Sequence, residues 1–263
     1  MKQVWDGPIA IVGAGQLGSG MMEALLNQGF PAAQLRVVTR SQLHAEALAA
    51  EYGVHAPPLA QAVDGATAVF VAARIPQMPE VLTAVAAALA PGAVVISLAG
   101  GPGMDELAAS LPAGTPLLRA MTTPAIAHHS LTGLCPANDC PDQVVEQVRE
   151  LFTRFGPVLM VDEQRLGLIG DLSGHGQAVI YYAADAMVQW GVMHGFSRAE
   201  ATRIVAQTVA GASRNLSRLN ESPVELQNRL CTPGGTTVRA MAELDERATR
   251  AAIMACIDGG RFK

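Results

Sequence analysis

The sequence predicts an α/β fold, a doubly wound sheet over residues 1–161, followed by an all-α unit over residues 162–263. Three observations carry this. Short β-branched runs alternate with longer alanine- and leucine-rich stretches through the first 160 residues, as βαβ units do. A glycine-rich turn stands directly after the first of those runs. The strand signals then stop near residue 162, and the rest of the chain has helical spacing only.

The candidate strands are residues 8–12, 35–39, 66–72, 93–98, 116–121, 131–134 and 158–161. Between them, residues 17–28, 41–52 and 78–89 carry apolar side chains at helical spacing. The second unit reads as helices over residues 173–194, 197–219, 224–230 and 236–257, and the junction is expected between Phe155 and Arg165. Ser197-Arg198-Ala199-Glu200 has the form of a capping box, in which serine and glutamate side chains satisfy unpaired amides of a first turn. Residues 174–193 are apolar over most of their girth. A helix of that kind must be buried, and so few helices make a thin core, so a homodimer is expected, with a higher assembly of dimers open.

Bulk properties exclude several classes. With 263 residues, half of them hydrophobic, no apolar run approaches the roughly 20 residues of a membrane span. The opening MKQVWDGPIAIVG has no stretch of signal-peptide length, so a cytoplasmic protein is expected. A net charge of −5 with no basic stripe argues against a nucleic-acid partner. Cys135, Cys140, Cys231 and Cys256 form no C-x-x-C pair and are read as buried, reduced thiols. His128 and His129, just before Cys135, fit no zinc spacing; they are read as surface or interface side chains, and no metal is expected.

The glycine-rich turn is Gly13-Ala14-Gly15-Gln16-Leu17-Gly18, a G-x-G-x-x-G at the strand-to-helix position. There Gly13 permits the tight turn, Gly15 lets a pyrophosphate approach the backbone, and Gly18 allows close packing of helix on strand. The helix N-terminus, beginning with Gln16 and Leu17, supplies amide donors and a positive dipole end. This is the signature of a Rossmann-type dinucleotide site. The second strand ends at Thr39-Arg40-Ser41, with no carboxylate to accept from a free ribose 2′-hydroxyl. A guanidinium flanked by hydroxyls suits a 2′-phosphate instead, so NADPH is expected over NADH, which remains the alternative donor. A solvated arginine with no ligand is the blander reading of Arg40.

Late in the chain, Leu230-Cys231-Thr232-Pro233-Gly234-Gly235-Thr236-Thr237 closes a short helix and opens another. Its glycines make an irregular turn, and the free amides behind it form a nest for an anion such as a carboxylate. Thr236 or Thr237 is a candidate helix cap, leaving the other hydroxyl for a ligand.

Taken with Asp171-Leu172-Ser173-Gly174-His175-Gly176-Gln177-Ala178 and Arg119-Ala120-Met121-Thr122-Thr123-Pro124-Ala125, this run resembles the pyrroline-5-carboxylate reductase family in order and spacing, from Ile9 to about Arg261. The resemblance implies a Rossmann domain followed by a helical dimerisation domain, with the substrate between the nicotinamide of one subunit and helices of the interlocked pair. It implies NADPH-dependent reduction of a small cyclic imine carboxylate, pyrroline-5-carboxylate to proline. It also implies carboxylate binding by the amides of Gly234, Gly235 and Thr236, with Ser173, Gly174 and Thr232 lining the substrate. Thr237 would meet the ring nitrogen, and Ala73, Arg74 and Pro76 would contact the cofactor.

The chain departs from the family pattern at identifiable points. Arg74-Ile75-Pro76-Gln77 holds one residue more than the family's lysine-proline-glutamine, and no asparagine stands beside Met121. His175 replaces a serine, and Gln177 and Val179 replace a proline and a tyrosine. His175 is read either as a proton donor or as a capping, pocket-shaping ring at a helix start. These departures keep two alternatives in view: a reductase of a different cyclic imine, and a nucleotide-binding regulator without turnover. A 3-hydroxyacid dehydrogenase would need an interdomain lysine, and none lies between Gln3 and Arg261.

Overall fold

The computed structural model describes residue 5 and residues 7–128, 130–218 and 221–259; His129 and Leu219, both used in the sequence analysis, lie outside them. The chain divides into two compact units, Met1–Ser173 and Gly174–Lys263.

In the first unit, β1 (Ile9–Val12), β2 (Leu35–Val38), β3 (Ala68–Val71), β4 (Val94–Ser97), β5 (Leu117–Met121), β6 (Thr132–Pro136) and β7 (Val158–Met160) form one sheet in the order β2-β1-β3-β4-β5-β6-β7. All seven coincide with runs read from the sequence. β1, β3 and β4 are buried along their whole length, which is why they read as continuous apolar runs rather than alternating ones. The βαβ pattern read from the sequence implies parallel pairing, and one pair departs from it. β5 and β6 pair antiparallel, and β7 then runs parallel to β6. The connection between β5 and β6 carries only a 3₁₀ turn, Pro124–His128, too short for the crossover a parallel pair requires.

The helices α1 (Gln16–Asn27), α2 (Gln42–Tyr52) and α4 (Met78–Ala88) match the sequence-based expectation. Three others, α3 (Leu59–Val63), α5 (Met104–Ala109) and α6 (Asp142–Phe155), go beyond it. For α6 the sequence does carry a signal: Val148, Leu151, Phe152 and Phe155 recur at helical spacing and are all buried. Phe152 sits edge-on to both Phe70 and Phe155. α1 approaches the Pro124 turn so closely that a methyl group on Gly20 would fall 2.6 Å from the Pro124 carbonyl oxygen.

The larger correction concerns α7. Expected to begin at residue 173, it spans Glu163–Met193, so Asp171, Ser173 and His175 lie inside it rather than at its start. Asp162 Oδ1 accepts from the Arg165 amide (2.8 Å) and caps the first turn. Gly167 and Gly170 hide the added stretch, because each costs helix propensity. Gly170 has a packing reason, since Cγ and Sδ of Met121 lie 3.3 Å from where its methyl group would be. Glu163 forms an ion pair with buried Arg119 of β5, and the same carboxylate accepts from the Met104 amide (2.6 Å) that opens α5.

The second unit continues with α8 (Arg198–Arg218), α9 (Pro223–Leu230), α10 (Thr236–Glu246) and α11 (Thr249–Ile257). The single long helix expected over residues 236–257 is thus two, broken where Ala248 takes a left-handed φ of 51°. No glycine or proline marks that break. The core of this unit is thin: Val188, Ala201 and Val205 form its buried cluster, with Ala184 and Val209 beside them. No helix among the described residues is long and apolar enough to cross a membrane.

The capping box at Ser197 is present in both halves. The Ser197 amide donates to Glu200 Oε2 (2.9 Å), and the Glu200 amide donates to Ser197 Oγ (3.2 Å). The serine hydroxyl and amide hold the Glu200 carboxyl below its ordinary range. Because the folded-state value is depressed, the contribution is full above the unfolded value and is lost as pH falls through the folded one. Ser197→Ala should cost about 1 kcal/mol in a denaturant titration near pH 7. The gap between variant and parent should narrow at acid pH; a gap independent of pH would show that the carboxylate takes no part. Ser222 and Glu225 form a second such box, at α9, beyond the one expected from the sequence.

Candidate active site

The dinucleotide site grows out of the C-terminal ends of β1, β2 and β3. The β1–α1 turn is pinned from both sides. The amides of Gly13 and Ala14 donate to the Val38 carbonyl at the end of β2 (2.8 and 3.0 Å), and Gly15 donates to Gly13 (2.8 Å). Each glycine has its own reason. Gly13 has φ 99°, and a methyl group there would lie 2.6 Å from the Ala72 carbonyl carbon after β3. One on Gly18 would lie 2.4 Å from the Gly13 carbonyl oxygen. A methyl group on Gly15 would meet nothing within 4 Å. No protein atom therefore demands glycine at 15, and the space over it is open to a ligand.

Gly15 is also the N-cap of α1 and has no side chain to cap with, and the first turn holds no acidic residue. The amides of Gln16 and Leu17 are left for an anion. A pyrophosphate fits this cradle, because it needs both the vacant Gly15 side and the unspent donors.

At the end of β2, Thr39 Oγ1 donates to the Ser41 carbonyl (2.5 Å), and Ser41 Oγ caps α2 by accepting from the His44 amide (3.4 Å). Both hydroxyls are thus partly engaged in shaping the loop. Arg40 is exposed, and no hydrogen bond or ion pair holds it among the described residues. His44, which the sequence reading missed, bridges the two loops: its Nε2–H donates to the Ala14 carbonyl (3.2 Å). No local motif signals such a contact across 30 positions. On the other flank, Ala73 lies against Gly13, and Arg74 and Pro76 are exposed in the turn that opens α4. The fold thus gathers Gly13, Gly15, Gln16, Leu17, Gly18, Thr39, Arg40, Ser41, Ala73, Arg74 and Pro76 along one edge of the sheet.

In the helical unit, Thr232-Pro233-Gly234-Gly235 is a tight turn. The Gly235 amide donates to the Thr232 carbonyl (2.9 Å) with Gly234 at φ 74°. Two expectations are corrected here. The Gly235 amide is spent on the turn, so it is not a free donor for a carboxylate. Neither Thr236 nor Thr237 caps α10: the N-cap is Gly235, which offers no side chain. What stays available is the amides of Gly234, Thr236 and Thr237 and the half-buried Thr237 hydroxyl. A methyl group on Gly235 would fall 2.5 Å from Thr232 Oγ1, so a side chain there would displace the Thr232 hydroxyl.

His175 also needs correction. It does not sit at a helix start; its Nδ1–H donates to the Ile257 carbonyl at the last residue of α11 (2.8 Å). A carbonyl only accepts, so Nδ1 carries the proton, and the ring ties α7 to the C-terminal end of α11. The argument from a positive helix end therefore fails, since the neighbouring end is the negative one. Ser173 donates back to the Ile169 carbonyl (2.7 Å), and Gln177 donates to Tyr181 (3.0 Å). No hydrogen bond joins His175 to the Thr232–Thr237 turn among the described residues.

The cysteines are not all buried as expected. Cys135 and Cys140 are, and burial pushes both thiols up, away from thiolate chemistry. Cys231 is half-buried and Cys256 exposed, because the helical unit has little interior. Among the described residues no cluster of three metal-ligating side chains occurs, and His128 is exposed.

A doubly wound sheet with an anion cradle at its first helix, joined to a helical unit, defines an oxidoreductase-type dinucleotide-binding protein. Residues 8–101 match the family model described as NADP oxidoreductase, coenzyme F420-dependent, and residues 163–261 match pyrroline-5-carboxylate reductase dimerisation. A pyrroline-5-carboxylate reductase of Mycobacterium tuberculosis is 32% identical over 279 residues, covering 97% of this chain and 95% of that one. The crystal structure of the Streptococcus pyogenes 1-pyrroline-5-carboxylate reductase superposes with a TM-score of 0.83 at 26% identity, over 96% of each chain. The Plasmodium falciparum pyrroline carboxylate reductase, solved with NADP bound, shares the fold at a TM-score of 0.87 and 17% identity, over 97% of this chain and 95% of that one. The chain belongs to the pyrroline-5-carboxylate reductase family.

Proposed function

We propose that this protein is a cytoplasmic, homodimeric, NADPH-dependent reductase of a cyclic imine carboxylate, converting pyrroline-5-carboxylate to proline. Residues 1–161 would bind the dinucleotide, and residues 162–263 would hold the substrate and pair the subunits. The observation that carries this reading is the coexistence of two unspent anion cradles, at Gly15-Gln16-Leu17 and at Gly234 with Thr236-Thr237, in a chain that matches reductases of this name over nearly its full length.

The bound nicotinamide supplies the hydride. The protein's part is to hold and orient. Gln16 and Leu17 amides take the pyrophosphate, and unpaired Arg40 suits a 2′-phosphate, which favours NADPH. The amides of Gly234, Thr236 and Thr237 take the substrate carboxylate, fixing the ring by its anionic end. The Thr237 hydroxyl then hydrogen-bonds the ring nitrogen. A threonine holds little charge near neutral pH, so it positions the nitrogen and relays a proton rather than serving as a strong acid. His175, with Nδ1 committed to Ile257, is assigned to shaping the pocket helix rather than to proton donation.

The test is NADPH oxidation with pyrroline-5-carboxylate against its six-membered homologue, repeated with Thr237→Ala. Turnover of the five-membered imine is expected to exceed that of the homologue. The variant should lose roughly 100-fold in kcat, the lower end for removal of a proton-relay group, with its Kd for NADPH unchanged. Preference for the six-membered ring would replace the substrate assignment. An unaffected Thr237→Ala would put the imine nitrogen elsewhere.

A further inference from the structure

The cofactor-binding edge carries a large apolar side chain that nothing so far explains. Ile75 stands in the turn between β3 and α4 and is 59% exposed. It is the first residue of the 3₁₀ turn Ile75–Gln77 that leads into α4. It is not loose. A methyl group on Gly101, in the loop after β4, would fall 2.7 Å from Cγ1 and 2.9 Å from Cγ2 of Ile75. The stem of Ile75 is thus laid directly on the Gly101 backbone, and only glycine at 101 leaves it that place. Met121 borders the same spot, with Cε 3.7 Å from the corresponding position on Gly100.

The sheet order says which part of the dinucleotide comes here. Strand order reverses between β1 and β3, so the pyrophosphate crosses at the Gly15 turn. The adenosine half goes toward β2, where Arg40 stands. The nicotinamide half must go the other way, over the ends of β3 and β4, two strand spacings or about 10 Å from β1. The Ile75–Gly101 contact lies there. An isoleucine pressed on a glycine backbone offers a flat apolar surface with no donor or acceptor of its own, which suits the face of a neutral planar ring and excludes water from it.

We propose that Ile75, seated on Gly101, is the apolar shelf against which the dihydronicotinamide ring of the cofactor packs. This rests on the assignment of NADPH under Proposed function. It makes Ile75 a positioning contact for the hydride donor. It also couples two loops, since a side chain at 101 would push Ile75 off its seat.

The experiment compares two probes by direct binding, using quenching of intrinsic tryptophan fluorescence or calorimetry: NADPH, and 2′-phospho-ADP-ribose, which lacks the nicotinamide. Ile75→Ala should weaken NADPH roughly tenfold and leave 2′-phospho-ADP-ribose unchanged, while Ile75→Leu keeps both. Gly101→Ala should reproduce the loss, and the double variant should be no worse than either single one. Equal weakening of both probes would mean that Ile75 only holds the loop, and unchanged NADPH binding would mean that the ring does not touch it; either result overturns the shelf. Thermal melts of the cofactor-free variants verify that the fold is intact. If the unsubstituted protein binds neither probe, the NADPH reading itself fails, and that outcome is distinct from the other two.

Discussion

Gly15→Val is expected to weaken cofactor binding on the order of 100-fold while leaving the protein folded. The branched side chain would meet no protein atom, since the Gly15 side is open to 4 Å, and φ −82° with ψ −155° is extended backbone that valine accepts. A bound pyrophosphate would meet it directly. A clash of that kind in a well-packed site costs about 3 kcal/mol, on the order of 100-fold in Kd. The melting temperature without cofactor should stay within a few degrees of the parent's, while the upward shift that a fixed concentration of NADPH gives the parent should be much smaller in the variant. Gly18→Val is the contrast. Its side chain would drive into the Gly13 carbonyl, so α1 would have to lift from β1, and the cofactor-free protein itself should melt lower. If Gly15→Val binds NADPH normally, the pyrophosphate does not cross the turn, and the site must be redrawn.

The contrast between those two glycines shows what the sequence could convey. G-x-G-x-x-G marked the turn and the helix behind it because its constraints are local: a positive φ at Gly13 and a helix–strand approach at Gly18. β1, β3 and β4 were equally legible, since strands buried on both faces read as apolar runs, while β2 showed the alternation of a half-buried strand. The reversal at β6 was written only in the length of a connection. The start of α7 was obscured because Gly167 and Gly170 look like a loop, while the Arg119–Glu163 ion pair that anchors the first turn, beside the cap at Asp162, reaches across 44 positions. The break at Ala248 left no mark at all.

The candidate site divides the same way. The turn at Thr232-Pro233-Gly234-Gly235 was visible as a motif. Which of its amides are spent was not, because the hydrogen bond from Gly235 to Thr232 depends on the turn's geometry. His175 shows the cost of a misplaced element. Put at a helix start it reads as a ligand-facing ring; inside α7 it is a tie to α11. His44 and Ile75 are nonlocal in the same sense, each defined by a loop distant in sequence.

Ile204→Glu is expected to convert the protein to a poorly stable monomer. The helical unit exposes Tyr182, Trp190, Met193, Leu230 and Met254, each at 60% or more, around a core of three buried residues. Monomers rarely leave so much large apolar surface in water. Between α7 and α8 an apolar cleft of about 250 Å³, lined by Met187, Trp190, Phe196, Ile204 and Thr208, is open to receive side chains of a second copy. A carboxylate at position 204 would have to be desolvated there, at a cost of several kcal/mol per copy, twice over in a two-fold pair. Sedimentation at micromolar concentration should give a dimer or larger for the parent and a monomer for the variant. The parent's melting temperature should rise with protein concentration, as mass action requires, and the variant's should be lower and independent of it. The dinucleotide unit has its own buried core and should still bind NADPH in the variant, whereas imine turnover should be lost with the dimer. A parent that sediments as a well-folded monomer would show that this surface is not an interface, and the thin core would then need another explanation.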